Sequence, residues 1–165
     1  MDKENYRSLQ EMAANGDAKA FSRLYETLYR EMYYTAYYSL ADDTDAVEVI
    51  TSAVRSTFNA MGRLHSESSF RTHMMKSLCS KIKAKFKMYS ANGIEILYDR
   101  ENLMPNEDGV DIKQEFNRLS DTVRLLTALY IGGRFSSEEI AQFTGLSSST
   151  VNKKIKRVLE AFELD

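Results

Sequence analysis

Residues 135–157 read FSSEEIAQFTGLSSSTVNKKIKR, and this stretch decides the fold. Ser136-Ser137-Glu138-Glu139 fits a capping box, with Ser136 as N-cap and Glu139 as its reciprocal partner. Ile140, Ala141 and Phe143 belong to the short helix that follows, and Thr144-Gly145-Leu146-Ser147 is a turn. Gly145 sits where such a turn needs a left-handed residue. Ser147 caps a last helix whose inner face is Val151, Ile155, Val158 and Phe162. Ala141 is small where two helices must approach closely. A short helix, a glycine turn, a cap serine and a longer helix make a helix-turn-helix. The last helix turns Ser149, Asn152, Lys153, Lys156 and Arg157 outward, side chains that can contact phosphates or base edges in a major groove. An ordinary helical hairpin has no reason to present that set on one face.

Upstream, Phe116, Leu119, Val123, Leu126 and Tyr130 mark another helix, closed by Gly132-Gly133. Before it, Asn92-Gly93, Pro105-Asn106 and Asp108-Gly109 are turn chemistry. Residues 90–112 show no helical period and hold six acidic residues against one base, Arg100. They read as an acidic linker, parts of which dock through Ile94, Ile96, Leu97, Leu103 or Met104. Residues 70–89 have the opposite charge, with six basic residues and no acidic one. At about 100° per residue, Met75, Leu78, Cys79, Ile82, Phe86 and Tyr89 share one side of a helix. Lys76, Lys83 and Lys87 form a stripe away from that side, and Arg71, Lys81 and Lys85 form another on the opposite flank. A solvated face would mix signs, because like charges at i, i+4 repel. All-basic flanks point to a polyanion.

Leu64 to Ser69 reads as a short polar connection. Before it, Ile50, Val54, Phe58 and Met61 form an i, i+4 series with caps at Asp42, Asp43, Thr44 and Asp45. Earlier still, Asp17 is an N-cap for one long helix, or two nearly in line, carrying Phe21, Leu24, Leu28, Met32, Ala36 and Leu40. Tyr25, Tyr29, Tyr33 and Tyr37 run beside that stripe, as core packing or as a stacking platform.

Composition agrees with an all-α chain. The 165 residues hold one proline, seven glycines and one cysteine, and the formal charge is −2. A single cysteine, Cys79, allows no internal disulfide and no cysteine-based zinc site. His65 and His73 have no partners at metal-ligand spacing, so no metal and no cofactor is expected. No run of about 18 apolar residues exists to span a membrane. Residues 1–10 mix charges without the apolar core of a signal peptide, so a cytoplasmic protein is expected. No phosphate-cradling glycine loop and no nucleophile–base motif is visible, so no enzyme is expected.

The helix-turn-helix resembles the C-terminal region four of bacterial sigma factors, through Glu139-Ile140-Ala141, Gly145-Leu146-Ser147, Thr150-Val151 and Arg157. The first half resembles region two of the two-domain, extracytoplasmic-function (ECF) type. Gly16-Asp17-Ala18-Lys19-Ala20-Phe21-Ser22-Arg23-Leu24-Tyr25 looks like its opening. Asp45-Ala46-Val47-Glu48 looks like the acidic start of its polymerase-binding helix, and Phe70-Arg71-Thr72 like the beginning of its promoter-melting helix. The chain departs from the family's usual residues at His73 (Trp), Ser80 (Asn), Ala84 (Asp), Thr51 (Gln), Val54 (Phe) and Ser120 (Pro).

The resemblance implies two small helical domains, 1–89 and 113–165, joined by a flexible acidic linker over 90–112. Their partners would be core RNA polymerase and promoter DNA, both duplex and melted single strand, with an anti-sigma factor as a further partner. The implied recognition-helix residues are Ser148, Ser149, Thr150, Asn152, Lys153, Lys156 and Arg157. The implied promoter-melting residues are Arg71, His73, Lys76, Ser80, Lys83 and Lys87. The implied polymerase-binding residues are Asp45, Glu48, Thr51, Ser52 and Arg55. Two other readings stay open: a helix-turn-helix regulator that does not bind core polymerase, and a sigma-like protein-interaction module that has lost DNA binding. Segregated charge also suggests that the acidic linker lies over the basic helix when polymerase is absent.

Overall fold

The computed structural model describes residues 1–97 and 117–161. These residues form eight α-helices and, among the described residues, no strand: α1 (Lys3–Ala14), α2 (Ala18–Glu26), α3 (Tyr29–Leu40), α4 (Asp43–Ala60), α5 (Glu67–Ala91), α6 (Asp121–Thr127), α7 (Ser137–Thr144) and α8 (Ser148–Ala161). A 3₁₀ turn over Met61–Arg63 follows α4, and a wider π turn over Ala128–Gly132 follows α6. The all-α reading therefore holds.

Short polar side chains set most of the starts. Asp17 accepts from the amides of Lys19 and Ala20 at 3.0 and 3.1 Å, and Asp42 accepts from that of Asp45 at 2.8 Å. Each satisfies amides that have no partner inside the helix. Ser66 and Ser69 cap each other reciprocally, so α5 begins at Glu67, inside the stretch expected as a connection. The apolar run beginning at Phe21 divides into α2 and α3, with Thr27 and Leu28 between them. Thr27 turns its hydroxyl back to the Leu24 carbonyl at 2.7 Å, and Leu28 is fully buried at the corner.

Helix α1 is not legible from periodicity, because its buried face is only Tyr6, Gln10 and Ala13. Two side-chain bonds hold it: Tyr6 Oη donates to the Leu64 carbonyl and Gln10 Nε2 to the Met61 carbonyl, each at 2.6 Å. Both acceptors lie at the α4–α5 corner, so α1 closes the end of the bundle.

A single apolar cluster runs from Tyr6 to Ile155, through Leu28, Met32, Met61, Met74, Leu78 and Ile82 and on through Leu125, Leu129 and Ile140. The C-terminal helices thus share a core with the N-terminal ones. Fully burying each such side chain contributes about 1.5–3 kcal/mol. The seat between the two halves is glycine-lined. A Cβ on Gly132 would lie 2.7 Å from Tyr38 Cδ2 and 3.1 Å from the Tyr34 carbonyl oxygen, and one on Gly133 would lie 2.7 Å from Thr35 Oγ1. Gly132-Gly133 therefore does more than end a helix: it lets the backbone lie against α3. The expected linker falls mostly, from residue 98 to residue 112, outside the described residues, as do Phe116 and Phe162.

Candidate nucleic-acid interface

The stretch expected to be a helix-turn-helix folds as two helices, α7 and α8, joined by a turn at Gly145. Glu139 accepts from the Ser136 amide at 3.1 Å while Ser136 Oγ accepts from the Glu139 amide at 3.2 Å, completing the capping box. Gly145 ends α7 with a φ of 79°, the left-handed conformation the turn requires. Ser147 Oγ accepts from the Thr150 amide at 3.1 Å and starts α8. Val151, Ile155 and Val158 are buried beneath α8. Of the recognition-helix set, Ser148, Ser149, Asn152, Lys153, Lys156 and Arg157 are exposed. Thr150 is half-buried, its hydroxyl taking a 2.8 Å hydrogen bond from Ser147.

Helix α5 divides its charges unequally. Lys76, Ser80, Lys83 and Lys87 are exposed along one line. Lys76, Lys83 and Lys87 border a groove whose other wall is Phe143, Thr144 and Gly145, at the end of α7. On the opposite flank, two of the three cations are paired. Arg71 Nη2 pairs with Glu139 Oε2 at 3.3 Å, and its guanidinium lies 5.9 Å from the centre of the Phe135 ring. Lys85 Nζ bonds Glu48 Oε2 at 2.9 Å and Asp45 Oδ1 at 3.4 Å, and the Glu48 bond does most to hold its ammonium above the usual lysine pKa. Lys81 is exposed. The available basic surface of α5 is therefore the Lys76–Lys87 line together with Lys81.

His73 is half-buried, with Nδ1 2.9 Å from Thr57 Oγ1 on α4. Burial, with the nearby Arg63 charge, lowers its pKa, so it stands neutral at pH 7. Its place on the expected melting face is thus partly turned into the α4–α5 packing.

The expected polymerase-binding residues follow one side of α4. Glu48, Thr51 and Arg55 are exposed, and Asp45 and Ser52 are half-buried. Thr51 Oγ1 turns back to the Val47 carbonyl at 2.8 Å. Asp45 also accepts a short hydrogen bond from Tyr89 Oη. Lys85 and Tyr89 thus join the acidic start of α4 to the far end of the basic helix. Spacing alone could not show that link, nor the one from Arg71 to Glu139, because each joins residues at least 37 positions apart.

No family model and no curated protein matches the sequence. Among solved structures, the chain is similar to CnrH in its complex with the cytosolic domain of CnrY. The TM-score is 0.69 at 18% identity, over 96% of this chain and 95% of CnrH. The likeness extends over both halves of the chain and is a likeness of fold.

Proposed function

We propose that this chain is a transcription initiation factor of the ECF sigma type, which joins core RNA polymerase and directs it to promoters. The observation that carries this reading is the fold shared with the ECF sigma factor CnrH from one end of the chain to the other. The surface chemistry supports it. Helix α8 offers Asn152, Lys153, Lys156 and Arg157 to a duplex: amide and basic side chains read base edges, and the cations hold phosphates. The line Lys76, Lys83 and Lys87 suits the phosphates of a single strand, which a basic groove tracks without reading its sequence. Glu48, Thr51 and Arg55 on α4 are the surface through which polymerase would be held. CnrH was solved with the cytosolic domain of CnrY, and a protein partner of that kind, an anti-sigma factor, belongs to the proposal.

Transcription reconstituted with core enzyme from the source organism tests the reading. Initiation from a defined start site, dependent on this chain, is the expected result. A chain that neither binds core enzyme nor yields a start site would overturn it. One observation favours a second reading, a DNA-binding regulator independent of polymerase: Asp45 and Glu48 are already engaged by Lys85. Capture of core polymerase by the full chain separates the two.

A further inference from the structure

Five tyrosines of α3 are stacked into two columns on the surface. Tyr29, Tyr33 and Tyr37 form one, with ring centres 6.2 and 6.0 Å apart and planes within 29° and 13° of parallel. Tyr34 and Tyr38 form the other, 6.0 Å apart and 17° from parallel. Edge-on contacts at 5.8 Å, Tyr33 to Tyr34 and Tyr37 to Tyr38, tie the columns together. Tyr29 is exposed, and the other four are half-buried. The core takes only part of each ring.

Where α3 ends, the columns open into a groove lined by Tyr33, Tyr34, Tyr37 and Tyr38 and by the carboxylates of Asp42 and Asp43, enclosing about 470 Å³. Among the described residues, no basic side chain lines it. Both aspartates are exposed. Tyr33 Oη donates to Asp43 Oδ1 at 2.6 Å, which fixes that carboxylate against the rings. Two anions beside electron-rich ring faces make a site for a cation, and they repel phosphate. The array already takes one guanidinium: Arg30 Cζ lies 4.9 Å over the Tyr34 ring.

We propose that this groove is a docking site for an arginine-bearing segment of a partner protein, the guanidinium packing against the tyrosine rings that line it and pairing with Asp42 or Asp43. A guanidinium suits the site better than an ammonium, because it is planar, stacks on an aromatic face and meets a carboxylate with two parallel donors. None of its lining residues belongs to the Lys76–Lys87 line or to the outward face of α8, and the inference does not rest on promoter binding.

The test titrates the full chain with three short peptides of one design, carrying three arginines, three lysines or three glutamates, and with oligo-dT. Tyrosine ring resonances are followed by NMR and affinities by calorimetry. The arginine peptide is expected to shift the Tyr33 and Tyr37 rings and to bind about tenfold more tightly than the lysine peptide, with the glutamate peptide silent. Asp42→Asn keeps an N-cap side chain while removing the charge, and is expected to weaken arginine binding about tenfold without lowering the thermal midpoint. Tyr37→Leu is expected to erase the preference for arginine over lysine. Equal affinity for the two cationic peptides would overturn the proposal, as would affinity unchanged by Asp42→Asn or no binding at millimolar peptide. Ring shifts produced by oligo-dT rather than by the arginine peptide would make the array a base-stacking platform instead.

Discussion

Glu139 serves two partners at once: one carboxylate oxygen caps its own helix at the Ser136 amide, and the other meets Arg71 on α5, 3.3 Å away. The residue that begins the helix-turn-helix thus also ties it to the basic helix. Glu139→Gln keeps the capping geometry and loses the charge. The pair is about a third exposed on each side, so that variant is expected to lose less than about 1 kcal/mol. Glu139→Ala loses the cap as well and is expected to cost about 1–2 kcal/mol. Urea unfolding measures both, and a cycle with Arg71→Ala isolates the pair: coupling that survives in the glutamine variant would contradict the ionic assignment.

Gly132→Ala drives a methyl into Tyr38 and the α3 backbone and is expected to cost about 1–3 kcal/mol. Gly62→Ala is the control, since nothing lies within 4 Å of its added carbon and its φ is not left-handed. That variant is expected to stay within about 1 kcal/mol of the parent. Equal thermal midpoints for the two would refute the close seating of the C-terminal half on α3.

Thr35 Oγ1 is fully buried beside Gly133 and has no hydrogen-bond partner among the described residues. Thr35→Val replaces the hydroxyl with a methyl of nearly the same shape. It is expected to stabilise the chain by about 1 kcal/mol, the scale of an unmet buried polar group. Destabilisation by as much would show that the hydroxyl has a partner.

Replacing Lys76, Lys83 and Lys87 with glutamine is expected to weaken DNA binding across sequences. The slope of log K against log salt should fall by about one for each phosphate that is no longer neutralised. Lys85→Gln separates the two flanks of α5: its ammonium holds Asp45 and Glu48, so it is expected to lower stability and leave the salt slope alone. Binding isotherms at several salt concentrations decide it. An unchanged slope in the triple variant would remove α5 from the DNA-contacting surface.

Alkali and acid act through different groups. The Cys79 thiol is pushed up to about 12 by burial. Tyr6 and Tyr25 are also raised to about 12, chiefly by burial, and Tyr33 likewise, chiefly by its hydrogen bond to Asp43. Each of these groups holds its proton more tightly in the folded chain, so its stabilising contribution is complete below the unfolded pKa and is lost as pH rises toward 12. His73 has the opposite sign. Its lowered folded pKa gives stability above about pH 6.5, lost progressively on acidification. Urea midpoints across pH should fall at both ends, and His73→Gln should flatten the acid limb below about pH 6.5. An acid limb unaffected by that substitution would exclude His73 as its origin.

The sequence disclosed whatever is local. Asp17, Ser136, Ser147 and Gly145 act as caps and turn because their roles depend on neighbours within a few residues. The outward arc of α8 and the lysine line of α5 follow from helical period alone. Helix α1 escaped because its buried face is short, and two side-chain hydrogen bonds to the α4–α5 corner add to what Tyr6 and Ala13 bury. The pairing of Arg71 and Lys85 escaped because their partners come from other helices, so a flank that read as free cation is largely neutralised. The tyrosines were visible as a stripe, but only the packing shows how much of each ring the core leaves outside.

Ten tyrosines and no tryptophan also determine how this molecule emits light. Six of those tyrosines, Tyr25, Tyr29, Tyr33, Tyr34, Tyr37 and Tyr38, form one connected chain of rings with centres 5.5–6.2 Å apart. Excitation absorbed by any ring can pass along such a chain before a photon leaves, scrambling its polarisation. A quencher or an ionised hydroxyl at one position therefore dims its neighbours too, so the protein's native ultraviolet emission is a collective signal dominated by one surface.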